Sequence, residues 1–236
     1  AEQKPVVRMI RRFLNKPLRA DVSIQMKYDQ RALKTFVSGI AGKLDREPRS
    51  STVSVKDGVP RVSPSRYGLT VNQEVTTRRI VEALPNSREP LKIETASVRP
   101  KVTEEDIGYI IVIKQSEHKL YLYNCNELVD TFPVAVGSPQ YPTPTGEFRI
   151  VKKEKNPTWY PPKSEWAKEK KPIPPGPGNP LGPYWMEIGD GIGIHSTPDE
   201  KSLGYSVSHG CIRMSEWGAM YLFNRVKQGT LVYIYP

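Results

Sequence analysis

The chain of 236 residues is poor in the residues that staple, ligate or anchor a protein. It has two cysteines, Cys125 and Cys211, and three histidines, His118, His195 and His209. Two cysteines exclude a disulfide framework, and one Cys125–Cys211 bridge is the most they can make. Zinc sites announce themselves by C-x-x-C or H-E-x-x-H spacing, and neither occurs, although His195, His209 and Cys211 remain as three bare ligand types. No apolar run approaches the ~20 residues of a membrane span, and no stretch reads as a signal peptide. The chain opens at Ala1, and we expect an export or anchor segment upstream of it. Nucleic-acid recognition motifs are absent too, which sets nucleic acid aside as a partner despite a formal charge of +10.

What is present suits a soluble globular protein, with 37% hydrophobic and 25% charged residues and length for one large domain or two modest ones. The positive charge is concentrated at the start, where residues 1–50 hold 12 Lys/Arg against 5 Asp/Glu. Such a face attracts polyanions, whether anionic lipid, nucleic acid or an anionic cell wall, or is simply solvated.

Residues 1–25 read as a basic lead-in segment with a short strand expected at Asp21–Met26. From Asp29 a helix is expected, its stripe formed by Leu33, Phe36, Val37, Ile40 and Leu44. Ser51–Val62 alternates around Asp57-Gly58, a hairpin signal. Asn72 is a fair N-cap for a second helix through Leu84, and Leu91, Ile93 and Thr95 alternate as a strand. Residues 26–98 therefore read as a small α+β unit, and the polar, proline-containing residues 99–107 as a linker.

From residue 108 to 236 the character is β. Tyr109–Lys114, Lys119–Tyr123 and Leu128–Val136 are strand candidates, with His118 in a turn and Cys125 at a hairpin tip. Thr143-Pro144-Thr145-Gly146-Glu147-Phe148 reads as a turn entering a strand at Phe148–Val151, with a packing role. Asn156–Tyr184 holds nine of the 23 prolines, so it cannot lie within a sheet. It is a linker, or a packed lid or binding loop whose Trp159, Tyr160, Trp166 and Tyr184 offer flat faces to a peptide or sugar. Trp185, Met186 and Ile188 follow as a strand leading towards His195.

The chemistry concentrates in Gly191–Ser215, GIGIHSTPDEKSLGYSVSHGCIRMS. Ile192 and Ile194 form a short strand that delivers His195, and twelve residues, Ser196–Val207, lead to Ser208-His209-Gly210-Cys211. A helix is expected from Ser215 as N-cap, with Ala219, Leu222, Phe223 and Val226 on one side and Gly229 beyond its end. A free thiol titrates near pH 8.5, so Cys211 needs a base or a positive potential to act as a nucleophile. Either His195 or His209 is placed to serve, and the amides of Gly210 and Cys211 are candidates to hold an oxyanion. His195 has a second reading as a hydrogen-bonded core histidine.

Ile194-His195-Ser196 followed by Ser208-His209-Gly210-Cys211-Ile212-Arg213-Met214 resembles the signature of L,D-transpeptidase (YkuD-type) catalytic domains. The likeness runs over roughly residues 108–236, including the Val-Gly-Ser and Thr-Pro-Thr-Gly-Glu-Phe wording. It implies a mainly-β, β-sandwich-like catalytic domain, and the α+β N-terminal domain before it resembles peptidoglycan-binding-type domains. The resemblance implies Cys211 as nucleophile, His195 as general base and acid, and the Ser196 backbone carbonyl as the group orienting His195. Ser208, His209 and Gly210 would shape the oxyanion side. Arg213, Tyr184, Trp185, Trp159 and Tyr160 are the candidates for substrate binding, Arg213 meeting a stem carboxylate or serving as a structural ion-pair partner. The expected partners are peptidoglycan stem peptides, as donor and acceptor, with carbapenem β-lactams as inhibitors and no metal or cofactor. The expected place is extracytoplasmic, at the cell wall or surface of a bacterium, Gram-positive by the resemblance. The expected activity is 3→3 cross-linking through a thioester, with L,D-carboxypeptidase activity or a non-catalytic wall-binding module as the rivals.

Overall fold

A computed structural model describes residues 27–85 and 90–236. The lead-in segment 1–25 and the strand expected at Asp21–Met26 lie outside the described residues. Contacts divide the chain into two compact units, one made from the chain up to Glu47 with Leu69–Val98, the other from Pro48–Gly68 with Arg99–Pro236.

Helix α1 (Gln30–Leu44) starts where a side chain can satisfy its free amides, since the Asp29 carboxylate accepts from Arg31 N and Ala32 N at 2.8 and 3.2 Å. Its buried stripe is narrower than the sequence suggested, with Val37 and Ala41 inside and Phe36 left 61% exposed. Strands β1 (Val53–Lys56) and β2 (Val59–Val62) form the expected hairpin around Asp57-Gly58, both at positive φ. Strand β3 (Gly68–Val71) leads into α2 (Gln73–Ala83), capped by Asn72, whose side chain accepts from Val75 N at 3.0 Å. β3 pairs with β4 (Thr95–Val98), so the strand follows the stretch Leu91–Thr95 where alternation had placed it.

The hairpin was read as part of the N-terminal unit, but its hydrogen bonds run to the second one. Asn126 clamps Val62 from both sides, accepting from its N–H at 2.7 Å and donating to its carbonyl at 3.1 Å. Residues 99–107, read as a linker, contain the capped turn α3 (Glu104–Ile107). The Thr103 and Asp106 side chains each bond the other's backbone N–H, the T-x-x-D form of a capping box.

The second unit continues through β5 (Tyr109–Lys114), β6 (Lys119–Asn124), β7 (Glu127–Pro133), β8 (Val136–Gly137), β9 (Gly146–Arg149) and β10 (Lys152–Lys155). Next come β11 (Tyr184–Gly189), β12 (Ile192–Ser196), β13 (Ser206–Ser208), β14 (Ile212–Met214), α4 (Glu216–Arg225) and β15 (Leu231–Tyr235). Two main sheets result, in the orders β7-β6-β5-β15-β9 and β10-β11-β12-β14. They share one core in which Ile111, Ile113, Leu120 and Leu122 of the first meet Met186, Ile194, Ile212 and Met214 of the second, with Ala219 and Leu222 of α4. The architecture is thus an α+β unit followed by a mainly-β, sandwich-like one. On its other face β5 turns Ile110 and Val112 towards Val62, Tyr123 and Leu231. Burial on both faces explains why Tyr109–Lys114 is a continuous apolar run rather than an alternating one. Among the described residues, no helix is long and apolar enough to cross a membrane.

Replacing the Asn126 clamp leaves two partly buried backbone groups of Val62 unpaired. Asn126→Ala should lower the stability of the second unit by about 1–3 kcal/mol, read as a fall in the urea midpoint at unchanged slope. An unchanged midpoint would show that the hairpin is held by packing alone.

Candidate active site

β12 lies between β11 and β14, antiparallel to the first and parallel to the second. The register puts Ile194 beside Ile212, His195 between Trp185 and Arg213, and Ser196 beside Met214. Cys211 immediately precedes β14, and its Sγ stands 3.9 Å from the carbonyl of Gly191, the residue before β12. The close approach of β11 and β12 requires glycine at 193, where a Cβ would stand 2.6 Å from the Trp185 ring and 2.7 Å from the Met186 carbonyl.

His195 is 4% exposed, and its Nδ1 lies 2.7 Å from the Ser196 carbonyl oxygen. A carbonyl only accepts, so Nδ1 carries the hydrogen and Nε2 of the neutral ring keeps a lone pair. The imidazole is lowered to about 4, chiefly by burial and in lesser part by the Arg213 guanidinium, against the opposing pull of the Ser196 and Leu181 carbonyls. Burial pushes the Cys211 thiol up, partly offset by the Gly193 amide and the Arg213 charge. The resting pair is therefore a neutral thiol and a neutral imidazole rather than a preformed ion pair. Both cysteines are free, so the disulfide alternative does not hold.

The loop before Cys211 is held by hydroxyls. Ser208 Oγ donates to the Cys211 carbonyl at 2.6 Å and accepts from Gly210 N–H at 3.1 Å. Gly210 sits at φ +105°, in the region that favours glycine. Its amide was one of two expected oxyanion donors, but Ser208 already occupies it. Thr143 Oγ1 reaches across from the loop before β9 to the Gly210 carbonyl at 2.9 Å. His209 is exposed at the edge, its ring stacked on Trp166 with centroids 3.9 Å apart and tilted against Tyr141 at 4.8 Å. Desolvation, Arg213 and Lys170 all lower its pKa.

The proline-rich stretch is a packed excursion between β10 and β11 rather than a linker. Buried Asn179 donates to the carbonyls of Pro157, Ile173 and Pro174 and accepts from Leu181 N–H, and Trp159 bridges to Ile173. Ser196 Oγ bonds the Leu181 carbonyl at 3.3 Å and so joins the end of this stretch to the histidine strand.

Several expected substrate contacts have other surroundings. Trp159 is buried within the excursion, Trp185 is buried beside the His195 ring at 5.8 Å, and Tyr184 packs on Phe223 at 5.5 Å. Burial leaves the two tryptophans little face for a ligand. Tyr160 is 70% exposed, and Arg213 meets no carboxylate within 4 Å among the described residues. Reading the sequence missed Tyr141 and gave Thr143 only a packing role, while Trp166, one of the aromatics expected to offer a flat face, is the one that stacks on His209. The partner of Thr143 lies 67 residues away, so no local pattern announces it.

Residues 108–234 match the family model for the L,D-transpeptidase catalytic domain, YkuD. The chain belongs to the YkuD L,D-transpeptidase family. Residues 2–92 match the model described as "Putative peptidoglycan binding domain". Among relatives, the Bacillus licheniformis protein named "Putative L,D-transpeptidase YkuD" is 35% identical over 56% of this chain and 68% of its own. The Bacillus subtilis protein of the same name is 31% identical over 68% of this chain and 87% of its own. The Salmonella typhimurium "Probable L,D-transpeptidase ErfK/SrfK" is 32% identical over 72% of this chain, which spans only 57% of that relative. Two solved structures are also similar. The L,D-transpeptidase from Mycobacterium smegmatis has a TM-score of 0.47 at 18% identity, over 81% of this chain and 100% of that one. The Enterococcus faecium catalytic domain acylated by ertapenem has a TM-score of 0.44 at 26% identity, over 54% and 97%.

Two consequences of the YkuD-type site are measurable. A His195 held neutral in the fold but titrating near 6.5 when unfolded makes stability fall with pH, since below 6.5 the unfolded chain binds the proton first. Between pH 7 and pH 5 this residue should remove about 2 kcal/mol of stability, and His195→Gln should remove that part of the pH dependence in urea titrations. A wild-type-sized pH dependence in the variant would refute the assignment. The neutral resting pair also predicts that iodoacetamide alkylation of Cys211 rises with pH through and beyond the ordinary thiol range. A rate plateau below pH 7 would mean a preformed thiolate instead.

Proposed function

We propose that this chain is a peptidoglycan L,D-transpeptidase that forms 3→3 cross-links by acyl transfer through Cys211. The observation that carries the reading is the hydrogen bond from His195 Nδ1 to the Ser196 carbonyl. It leaves the Nε2 lone pair as the base of a neutral imidazole on the strand against which the Cys211 thiol rests. His209, by contrast, has its ring engaged by Trp166 and Tyr141, which favours His195 as the base.

In this mechanism His195 takes the Cys211 proton as the sulfur attacks the carbonyl of the third residue of a tetrapeptide stem. The Sγ–C bond forms while the carbonyl pair moves onto oxygen, and the free Cys211 N–H is the donor available to it. The pair returns, the C–N bond to the terminal D-alanine breaks, and the imidazolium gives its proton to the departing amine. The side-chain amine of a neighbouring stem then attacks the thioester, His195 takes the amine's proton, and Cys211 leaves to be reprotonated. Donor and acceptor stems thus yield one cross-linked dimer and one D-alanine, with no metal or cofactor in any step. Arg213, a cation without a carboxylate partner within 4 Å among the described residues, is the group for a substrate carboxylate. Trp166, stacked on His209, supplies the aromatic wall of the cleft that Trp159 and Trp185 cannot.

A peptidoglycan substrate is consistent with a site of action at the bacterial cell wall, and relatives of similar identity come from Bacillus and from Salmonella alike. The N-terminal match suggests that the first unit binds the wall. Carbapenems, whose strained amide presents the same kind of carbonyl, would acylate Cys211.

The test is mass spectrometry of products from a disaccharide-tetrapeptide, with the wild type beside Cys211→Ala and His195→Gln. A dimer equal to two substrates less one alanine is expected from the wild type alone. Tripeptide without dimer would make the protein an L,D-carboxypeptidase, with water as acceptor. No product from folded, reduced wild type would leave the wall-binding role.

A further inference from the structure

Thr143 is 3% exposed in the loop between β8 and β9. Its hydroxyl accepts from Gly137 N–H at 2.8 Å and has one proton to give, which goes to the Gly210 carbonyl at 2.9 Å. Its own carbonyl accepts from Gln115 Nε2 at 3.2 Å, so the residue is tied down through its backbone as well. Gly137 makes room for this, because a Cβ there would run into the Tyr141 carbonyl and Thr143 N.

The Gly210–Cys211 peptide is trans, so its C=O and N–H point in opposite directions, and fixing one fixes the other. The next carbonyl, that of Cys211, is held by Ser208 Oγ, which also holds Gly210 N–H. Of the four polar groups from Gly210 N to Cys211 O, three are therefore engaged. The fourth, Cys211 N–H, meets no acceptor among the described residues. A free amide beside a candidate nucleophile, locked in direction from both sides, has the form of a preorganised oxyanion donor.

We propose that Thr143 is a positioning residue for acyl transfer, which aims the Cys211 N–H at the substrate oxygen by holding the Gly210 carbonyl. The proposal rests on the reading of Cys211 as nucleophile. Thr143 bonds the Gly210 carbonyl rather than Cys211 itself and acts through one peptide plane. Its loss lets that plane rock, and the amide no longer meets the oxygen as charge develops there.

Two reactions of one thiol separate this role from a structural one. Ertapenem acylation passes through an oxyanion: Sγ–C forms, the lactam C–N breaks, and the nitrogen takes the proton. Alkylation by iodoacetamide displaces iodide at a saturated carbon and forms no oxyanion. In a Cys125→Ser background, both rates at Cys211 are measured by intact mass. Thr143→Val should slow acylation by about 10- to 100-fold with alkylation and its pH profile unchanged, and Thr143→Ser should restore acylation. Wild-type acylation in Thr143→Val overturns the proposal. So does a parallel fall of both rates in Thr143→Val and in Thr143→Ala, which would make Thr143 a structural residue. If ertapenem labels Cys211→Ala as it labels the wild type, the nucleophile itself has been misassigned, an outcome separate from either.

Discussion

The parallel pairing of β12 with β14 is the constraint on which the rest of the site depends. Parallel neighbours cannot be joined by a tight turn and need a crossover of about a dozen residues or more. Here the crossover runs from Thr197 to Cys211 and is itself anchored, because β13 pairs with β8 at Ser206–Val136 and Ser208–Gly137. A slip of one residue between β12 and β14 would turn Ile212 and Met214 out of the core and Arg213 into it. The hydrophobic core thus enforces the register, and the register brings the Cys211 end of β14 against the strand that carries His195.

Electrostatics then decide how such a pair can react. Burial removes the charged form of both groups, lowering the imidazole and raising the thiol, so charge appears only as the reaction proceeds. Groups aimed beforehand at that charge are more effective than groups that must reorient. In the proposed mechanism the hydrogen bonds of Ser196 to the ring and of Ser208 and Thr143 to the backbone around Cys211 supply that aim. Arg213 and Lys170 add positive potential at the open side, where His209 stands exposed.

Local chemistry was legible. The caps Asp29, Asn72 and Ser215 each bond amides within three residues, so a short stretch of sequence contains the whole interaction. The Asp57-Gly58 turn and the hairpin tip at Cys125 are equally local, both held at positive φ. Legibility ended where partners are distant. The tie of the β1–β2 hairpin to the second unit was not legible, because Asn126, which clamps it, lies 64 residues away from Val62. The aromatic residues of the proline-rich stretch were recognised as packing, but their exposure depends on Asn179 and on β11, which no periodicity encodes.

The sequence by itself determined the chemical inventory: one cysteine in a Ser-His-Gly-Cys run, a histidine on a short apolar strand upstream, and the family they belong to. Residue type and spacing suffice for that, since the thiol, the imidazole and the glycine before the thiol stand in one short stretch of sequence. Only the tertiary structure decided which amide is free, which tryptophan stacks on His209 and which histidine holds its tautomer. Those depend on hydrogen bonds between segments far apart in the chain, which burial makes obligatory and which only the packed sheets bring within reach.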